Sequence, residues 1–165
     1  MEELAFSQGY FDWDALRSQG IITISDPDKK IVGFLNIIPD YNPHECTYDM
    51  IRKTNDAPAG CMDGLIIELI NYAKARGYQY INFGLAPMSG IETPGNTAER
   101  VVKLAYEKIR RFRHYHGLRD FKEKFVTRWL NKYLVYKNDF DLIQLPAALN
   151  KVMMLPVDKR NKYAK

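Results

Sequence analysis

Apolar residues in the middle of the chain recur at the spacing of an amphipathic helix. They occupy positions i, i+3, i+4, i+7 and i+8 of one helical face, and these residues are Met62, Leu65, Ile66, Leu69, Ile70 and Ala73. Two basic residues and then Gly77 follow, which is typical of a helix end because glycine adopts the left-handed conformation there. The pattern predicts a helix that ends just before Gly77.

Extended segments flank this helix on both sides. Residues 47–52 precede it, residues 79–83 follow it, and a loop rich in Pro and Gly over 56–60 leads into it. This order predicts a β-loop-α-β unit. Because α/β units place ligands at the mouth of such a loop, the polar side chains next to it are the first candidates for a site.

Two apolar runs nearer the start of the chain, over 21–24 and 31–38, predict two more strands. The turn-forming residues 26–29 lie between them, so the strands should pair as a hairpin. The second run reads IVGFLNII and predicts a central strand that is buried on both faces. A short helix over 13–18, closed by Gly20, is predicted before the hairpin.

The second half of the chain predicts further helices and one strand. Asn96 is followed three residues later by Glu99, which matches an N-cap pair at the start of a basic helix over 101–112. Residues 133–136 predict a strand. Pro146 is expected to open a last helix, because proline is favoured at the first helical position.

The segment LRDFKEKF between these elements fits two conformations. A helix would place Phe121 and Phe125 on one face and leave Lys122 and Lys124 outward. An extended segment would place the two lysines on a shared face instead. The sequence leaves both possibilities open.

The order of elements predicts an α/β (α+β) fold of the GNAT-like acyltransferase type, with a mixed central sheet and helices on both faces. We expect residues 1–155 to form a single lobe and residues 156–165 to form a polar tail. The length of 165 residues suits one domain with its own core. A share of 46% apolar and 27% charged residues is that of a globular chain.

Composition excludes several classes of protein. No apolar run approaches the ~20 residues that span a bilayer, and the start of the chain does not match a signal peptide. Only two cysteines occur, Cys46 and Cys61, which favours reduced thiols over a disulfide. His44 and Cys46 lack further ligands at a zinc spacing, so no metal site is predicted.

Charge is distributed unevenly along the chain. Residues 1–49 hold three Lys/Arg against nine Asp/Glu, whereas residues 100–137 hold twelve Lys/Arg against three Asp/Glu. A block this basic, with aromatic residues between its charges, fits a partner that carries phosphate. A solvated helix face explains the charge equally well at this stage.

Acetyl-CoA, the usual ligand of GNAT folds, is not expected. Those folds cradle its pyrophosphate on backbone N–H groups of the loop before the helix, and here that loop lacks the glycine-rich spacing and carries Asp56 and Asp63. Carboxylates at a helix N-terminus occupy the place of a phosphate and repel it. We therefore predict no cofactor.

Four motifs occur in order along the chain: Tyr48-Asp49-x-x-Arg52, Ala57-Pro58-x-Gly60-x-Met62-Asp63, Phe83-Gly84-Leu85-Ala86-Pro87-Met88-Ser89 and Gly117-Leu118-Arg119-x-Phe121-Lys122-x-Lys124-Phe125. With these motifs, residues 4–137 resemble the C-terminal domain of lysylphosphatidylglycerol synthase, the multiple peptide resistance factor family. The resemblance covers the second of two acyltransferase-like lobes, which follow a multi-helix membrane domain in that family.

The resemblance implies transfer of an amino acid from aminoacyl-tRNA to the hydroxyl of phosphatidylglycerol. Such transfer alters membrane charge and gives resistance to cationic antimicrobial peptides. The implied partners are aminoacyl-tRNA (lysyl-tRNA on the family's pattern), phosphatidylglycerol at the membrane surface, the upstream lobe and the membrane domain. The implied location is the cytoplasmic face of the bacterial cell membrane, and the second lobe alone would lack half of the passage between the lobes.

The resemblance also implies roles for individual residues. Asp49 would hold an ammonium of the aminoacyl group, Arg52 would bind a phosphate or steady the carbonyl oxygen, and Lys124 would complete the catalytic set. The implied substrate-binding residues are Asp63, Gly84, Pro87, Ser89, Arg119 and Lys122. Of these, Lys122, like Lys124, suits a phosphate of RNA or lipid.

Each assignment has a structural alternative. Asp49 and Arg52 could form a salt bridge only, Asp63 could be a helix cap, and the lysines could belong to a solvated face. On a straight strand, residues three apart point to opposite faces, so Asp49 and Arg52 can share a site only if a bulge or the strand end intervenes. His114 and His116 could act as a general base or lie on the surface.

Two other functions remain open from the sequence. A related transferase could act on a peptide or a peptidoglycan precursor, or the chain could be a basic module that binds nucleic acid or membrane without catalysis. No Cys-His or Ser-His pair indicates a covalent nucleophile, so direct transfer is the expected mechanism.

Overall fold

The structure is a computed structural model that describes residues 11–86 and 113–133 without a gap. It also describes residues 95–97, 99–100, 103–104, 135–138, 140–141, 144–145 and 147–148. The chain divides into two compact units, Met1–Gly84 and Leu85–Lys165. The single lobe expected over residues 1–155 stays a prediction.

The described residues of the first unit form a mixed sheet of four strands in the order β1-β2-β3-β4. The strands are β1 (Gly20–Ser25), β2 (Ile31–Ile38), β3 (Glu45–Lys53) and β4 (Tyr80–Asn82). The first three pair antiparallel, and β4 pairs with β3 in parallel, which requires the crossover connection that the helix between them provides. The predicted hairpin, β-loop-α-β unit and mixed sheet are confirmed.

The hairpin turn depends on local hydrogen bonds. A carboxylate oxygen of Asp26 accepts the Lys30 N–H at 2.9 Å, and Lys29 adopts a positive φ of 64°. β2 then runs through the middle of the sheet, where the consecutive residues Leu35 and Asn36 are both buried. Because neighbours on a strand point to opposite faces, this confirms the prediction of a strand buried on both sides.

A helix, α2 (Cys61–Ala75), covers one face of this sheet. Its buried residues follow the predicted apolar stripe, and they are Cys61, Leu65, Ile66, Leu69 and Ala73. Gly77 adopts a φ of 77° just after the helix, which confirms the predicted stop. The helix packs closely on β2, because a Cβ added at Gly33 would lie 2.7 Å from the Cys61 sulfur.

A short helix, α1 (Trp13–Arg17), precedes the sheet, close to the prediction over 13–18. Asp12 caps it by accepting the backbone N–H groups of Asp14 and Ala15. The helix ends at Arg17 with Ser18 as its C-cap, so Gly20, which was predicted to close it, is instead the first residue of β1.

In the second unit, the structure describes one continuous helix, α3 (Arg113–Glu123). The segment LRDFKEKF is therefore helical as far as Glu123. The N-cap pair is confirmed, because the Asn96 side chain accepts the Glu99 N–H at 2.7 Å and the Glu99 carboxylate accepts the Gly95 N–H at 2.5 Å. Most of the basic helix predicted after it lies outside the described residues.

Two predictions about the end of the chain are corrected. Residues 133 and 135–136 have no regular secondary structure, so the described part of the predicted strand over 133–136 is not a strand. Residues 144–145 are helical, so helical structure is present before Pro146, where the last helix was expected to open. None of the helices in the described parts of the chain has the length and hydropathy of a membrane span.

Candidate functional site

The third strand, β3, contains a bulge that includes Asp49 and ends two residues before Arg52, the other strand residue of the predicted catalytic set. Its register with β2 pairs Ile51 with Leu35 but Tyr48 with Ile37, so two residues of β3 face one residue of β2. The two residues are Asp49 and Met50, and the one opposite them is Asn36. The bulge adds one position to β3 and reverses the alternation of its side chains beyond that point.

The register of β3 shows on which side of the sheet Arg52 lies. Lys53 pairs with Gly33, whose missing Cβ would contact Cys61 and Leu65 of α2, so Lys53 belongs to the helix-covered face. Arg52 pairs with Phe34 and therefore belongs to the other face. We call this surface, turned away from α2, the far face of the sheet.

The bulge assigns Asp49 to the same face. Ile51 pairs with Leu35, and Tyr48 pairs with Ile37. Leu35 and Ile37 lie two and four positions after Gly33 on β2, so they share its helix-covered face. The bulged residues between them, Asp49 and Met50, therefore both occupy the far-face position opposite Asn36. Asp49 and Arg52 thus share the far face although they are three residues apart, which meets the geometric condition set from the sequence. Their roles toward a substrate stay predictions.

The Asn36 side chain forms a hydrogen bond with a backbone N–H group at the bulge. Its side-chain oxygen accepts the Met50 N–H at 2.6 Å, and its side-chain nitrogen donates to the Gln19 side-chain oxygen at 2.7 Å. Asn36 is 1% exposed, so water does not substitute for these bonds. The sequence reasoning missed both Asn36 and Gln19, although a lone amide in the apolar run IVGFLNII was a signal.

The sheet opens next to the bulge. β4 pairs with β3 at three positions only, Glu45 with Tyr80, Cys46 with Ile81 and Thr47 with Asn82. After Thr47, whose hydroxyl donates to the Asn82 carbonyl at 3.0 Å, β3 continues to Lys53 while β4 ends at Asn82. Within the described residues, the second half of β3 therefore has a strand neighbour on one side only. We call this open stretch of β3 the splayed edge of the sheet.

Aromatic and polar contacts fix the start of this opening. The ring of Tyr48 packs edge-on against Phe83 with centroids 5.9 Å apart, and burial raises the pKa of Tyr48 to about 12. Asn82 donates to a Glu45 carboxylate oxygen at 2.7 Å and accepts the Gly84 N–H at 2.8 Å. These bonds turn the chain out of the sheet at Gly84, which adopts a φ of 70°.

Gly84 therefore shapes the backbone here, because a positive φ favours glycine. Its role toward a substrate stays a prediction. Pro87 and Ser89, which were also predicted to bind substrate, lie outside the described residues.

The N-terminus of α2 rules out the alternative that Asp63 is the helix cap. The N-cap residue is Gly60, in the left-handed conformation and without a side-chain cap, so Asp63 is not the cap. Asp63 lies in the first turn, where the helix dipole favours a carboxylate. In the preceding loop, Asp56 lies 3.3 Å from the Lys30 ammonium, and a hydrogen bond from Thr54 together with this partner lowers its pKa. The loop therefore keeps a negative charge near neutral pH.

In the second unit, Lys122 is placed differently from the prediction. The sequence left it outward on a helix, but it is 5% exposed and its ammonium donates to the Leu85 carbonyl at 2.9 Å. Burial lowers the pKa of Lys122 to about 8. The outward placement is wrong, because the last turn of α3 turns this side chain inward to contact the backbone at Leu85.

The residues around Lys122 agree better with the predictions. Phe121 and Phe125 pack together with ring centroids 5.6 Å apart, as the helical alternative required. Lys124 is exposed, and its ammonium lies 5.5 Å from the centroid of the Phe121 ring. The Arg119 guanidinium lies 5.0 Å from the centroid of Trp129 and 3.9 Å from the Glu123 carboxylate. Arg119 thus has partners within its own unit.

The two cysteines do not form a nucleophilic site. Both are buried free thiols, and burial together with the charge of Asp40 raises the pKa of Cys46. A thiol with a raised pKa stays protonated near neutral pH and is a weak nucleophile.

Comparison with known proteins identifies the family. The family model described as the C-terminal part of phosphatidylglycerol lysyltransferase matches residues 1–136. The chain belongs to this family. A phosphatidylglycerol lysyltransferase from Bacillus subtilis (strain 168) is 34% identical over 143 residues, and the match covers 86% of this chain. A second, from Staphylococcus haemolyticus, is 30% identical over 142 residues and 85% of this chain.

Two solved structures of the lysyltransferase family have the same fold. The structure of L-PGS from Bacillus licheniformis has a TM-score of 0.72 and 34% identity, over 91% of this chain and 47% of that chain. The C-terminal domain of a putative lysylphosphatidylglycerol synthetase from Agrobacterium fabrum has a TM-score of 0.71 and 32% identity, over 92% of this chain and 44% of that chain. The predicted α/β, acyltransferase-like fold is confirmed.

The curated lysyltransferases are much longer than this chain, which spans 17% of the length of each of the two relatives above. Their names therefore describe proteins of which this chain matches one part.

Proposed function

We propose that this chain is the second acyltransferase-like lobe of an enzyme that transfers lysine from lysyl-tRNA to phosphatidylglycerol. Family membership and the names of the relatives support the reaction class and the lipid acceptor. The observation that carries the site is the bulge in β3, because it places Asp49 and Arg52 on one face beside the splayed edge of the sheet.

The reaction is an ester exchange. The hydroxyl oxygen of the lipid head group attacks the aminoacyl carbonyl carbon, a new C–O bond forms, and the C–O bond to the tRNA ribose breaks. The hydroxyl proton ends on the released ribose oxygen. The protein contributes position and charge rather than a covalent intermediate. Both cysteines are buried, so neither is exposed to a substrate as a covalent nucleophile.

In this mechanism Asp49 and Arg52 have complementary roles. The Asp49 carboxylate binds an ammonium of the lysyl group and holds the ester in place. The Arg52 guanidinium donates to the carbonyl oxygen, which gains negative charge as the tetrahedral intermediate forms, or to a neighbouring phosphate. A charged donor at the oxyanion stabilises the transition state more than the ground state, so the loss of Arg52 should lower kcat.

Lys124 and the basic block of the second unit act on the phosphates of the substrates. Residues 100–137 carry twelve Lys/Arg against three Asp/Glu, and both tRNA and phosphatidylglycerol are anionic. Lys124 is exposed at the end of α3 and is suited to a phosphate contact. The enzyme would work at the cytoplasmic face of the membrane, with an upstream lobe and a membrane domain, and its product would reduce binding of cationic antimicrobial peptides.

Acetyl-CoA takes no part in the proposed reaction. Asp56 keeps its charge in the loop before α2, and Asp63 adds a carboxylate to the first helical turn. Two negative charges at the phosphate-binding position of a GNAT fold oppose a pyrophosphate. Isothermal titration of the chain with coenzyme A should show no binding, and saturable binding would contradict this part of the proposal.

The test is a transfer assay on a chimera in which this chain replaces the matching 143-residue segment of the Bacillus subtilis lysyltransferase. Labelled lysyl-tRNA and phosphatidylglycerol vesicles are the substrates, and chromatography of the product separates a lipid acceptor from a peptide one. Asp49→Asn and Arg52→Gln should each lower kcat/KM by at least about tenfold. Rates within about twofold of the parent would show that the site assignment is wrong.

The chain offers a control for each of these two variants. Lys53→Gln removes a cation next to Arg52 but from the helix-covered face, and Asp28→Asn removes an exposed carboxylate from the hairpin turn. Both variants should transfer lysine at the parent rate. If Lys53→Gln lowers the rate as much as Arg52→Gln does, general charge on β3 rather than the far-face site explains the loss. Salt-sensitive RNA binding without transfer in the chimera would favour a non-catalytic basic module instead.

A further inference from the structure

We infer that Asn36 is a positioning residue for the proposed transfer: its side chain holds the β3 bulge and so keeps Asp49 and Arg52 on one face of the sheet. The inference rests on the proposed function, because Asn36 touches neither reacting group in this mechanism. It stands on the hydrogen bonds of a buried amide and on the register of β2 with β3.

A bulge leaves part of the strand backbone without its usual ladder partners. Here the freed amide is that of Met50, and the Asn36 oxygen accepts it at 2.6 Å. Asn36 is 1% exposed and Met50 is 3% exposed, so the side chain takes the place that a ladder carbonyl or water would otherwise fill. A buried N–H without an acceptor is strongly disfavoured, and the bulge therefore depends on an acceptor at position 36.

Asparagine suits this position because it both accepts and donates. While its oxygen accepts from Met50, its nitrogen donates to the Gln19 oxygen at 2.7 Å. The second bond fixes the orientation of the amide and directs the oxygen toward β3. An apolar residue of similar size would fill the space but offer no acceptor, so it should weaken the bulge specifically.

Loss of the bulge would have a defined consequence for the site. With regular alternation from Arg52, Asp49 would return to the face covered by α2, on the opposite side from Arg52. The carboxylate and the guanidinium could then no longer act on the same ester. Removal of Asn36 should therefore weaken the joint action of Asp49 and Arg52 in the transfer reaction, in addition to any loss of stability.

The first measurement concerns the bulge itself. Amide hydrogen exchange on the full chain should show faster exchange at Met50 in Asn36→Leu than in the parent, whereas Asn36→Asp should retain slow exchange because it keeps an acceptor. Asn71→Leu is the matched control, since Asn71 is an exposed amide on α2 whose replacement should leave Met50 unchanged. Unchanged Met50 exchange in Asn36→Leu would overturn the inference.

The second measurement is a double-mutant cycle in the lysyltransferase chimera. Asn36→Leu should lower kcat/KM by about tenfold, Asn36→Asp should recover it to within about fivefold, and adding Asp49→Asn to Asn36→Leu should cost little more. A purely structural role predicts additive losses instead, and additivity would overturn the inference. If Asn36→Leu fails to fold, Gln19→Leu provides the same cycle, with a smaller loss of about threefold expected.

The two proposals fail in different ways. If Asp49→Asn and Arg52→Gln leave transfer unchanged, the proposed function fails whatever Met50 exchange shows. If those variants lose activity but the loss from Asn36→Leu is additive with theirs, the positioning role of Asn36 alone fails.

Discussion

The ammonium of Lys122 donates a 2.9 Å hydrogen bond to the backbone carbonyl of Leu85, and the lysine is 5% exposed. A lysine this buried pays a desolvation cost for its charge, and this burial lowers its pKa to about 8. Leu85 follows Gly84 in the Phe83–Ser89 motif, so two of the four motifs meet at this bond. Lys122 therefore holds the backbone of one motif from the helix of another.

The lowered pKa of Lys122 predicts a gain of stability at alkaline pH. The unfolded lysine has a pKa near 10.5 and binds more protons than the folded one between the two pKa values, so stability rises as pH increases from about 8. Between about pH 7 and pH 10 the gain from this group should be about 2 kcal/mol. Urea denaturation of the chain at several pH values measures it.

Two variants control for other groups that titrate in this range. Lys122→Met has no charge at any pH, and Lys122→Arg keeps its charge throughout, so neither should show the alkaline gain. If the stability of the parent relative to Lys122→Met is the same at about pH 7 and pH 10, Lys122 is not buried as the structure has it.

The raised pKa of Tyr48 predicts a loss of folding stability at higher pH, opposite in sign to the gain from Lys122. Its folded pKa of about 12 lies above the ordinary value of 10, so the unfolded state loses its phenolic proton first and stability falls as pH rises above 10. The loss from this group should be about 1 kcal/mol between about pH 10 and pH 11. Tyr48→Phe keeps the ring against Phe83 and should remove this part of the loss. An identical pH dependence in both proteins would contradict the burial of Tyr48.

Because β2 and α2 pack closely at Gly33, we expect a side chain at this position to destabilise the folded protein. Gly33→Ala would place a Cβ 2.7 Å from the Cys61 sulfur and 3.3 Å from the Arg52 carbonyl oxygen. Overpacking of this kind should lower the free energy of unfolding by about 1–3 kcal/mol, and Cys61→Ala should recover part of the loss in the double variant.

Gly117→Ala is the control for Gly33→Ala. A Cβ at Gly117 in α3 meets nothing within 4 Å, so alanine should stabilise this helix by up to about 1 kcal/mol. Equal effects of the two substitutions in urea denaturation would show that the close approach of α2 to β2 is absent.

Lys124 allows a test of the phosphate contact that the proposed function assigns to it. In the lysyltransferase chimera, Lys124→Gln should lower kcat/KM by about tenfold, because a cation near a substrate phosphate is lost while the Phe121–Phe125 pair remains. Lys132→Gln removes another exposed cation of the basic block and should change kcat/KM by less than about twofold. Equal losses would assign the effect to net charge.

Local patterns predicted the elements of the first unit well. The apolar stripe from Met62 to Ala73 marked one face of α2, and Gly77 marked its end, because both signals depend only on helical geometry near each residue. The run IVGFLNII marked a central strand for a similar reason. The prediction of a strand over 133–136 is wrong for the described residues 133 and 135–136, because β propensity expresses packing against neighbours that the sequence does not specify.

Side-chain direction was harder to predict than secondary structure. Helical spacing paired Phe121 with Phe125 correctly but left Lys122 outward, although the structure buries it against Leu85. Lys122 is buried where the backbone carbonyl of Leu85, 37 residues away in the sequence, accepts its ammonium, and no local pattern reveals that carbonyl.

Short-range geometry and residue spacing are enough to predict the hairpin, the β-loop-α-β unit, the end of α2 and, through four ordered motifs, the family. The face that Asp49 shares with Arg52 follows only from the packed sheet, because it depends on one extra residue in the register of β3 against β2. The hydrogen bond from Met50 to Asn36 and the burial of Lys122 likewise arise only in the folded protein. Each of these depends on a partner distant in sequence, and such a partner is fixed only when the sheet and the helices pack.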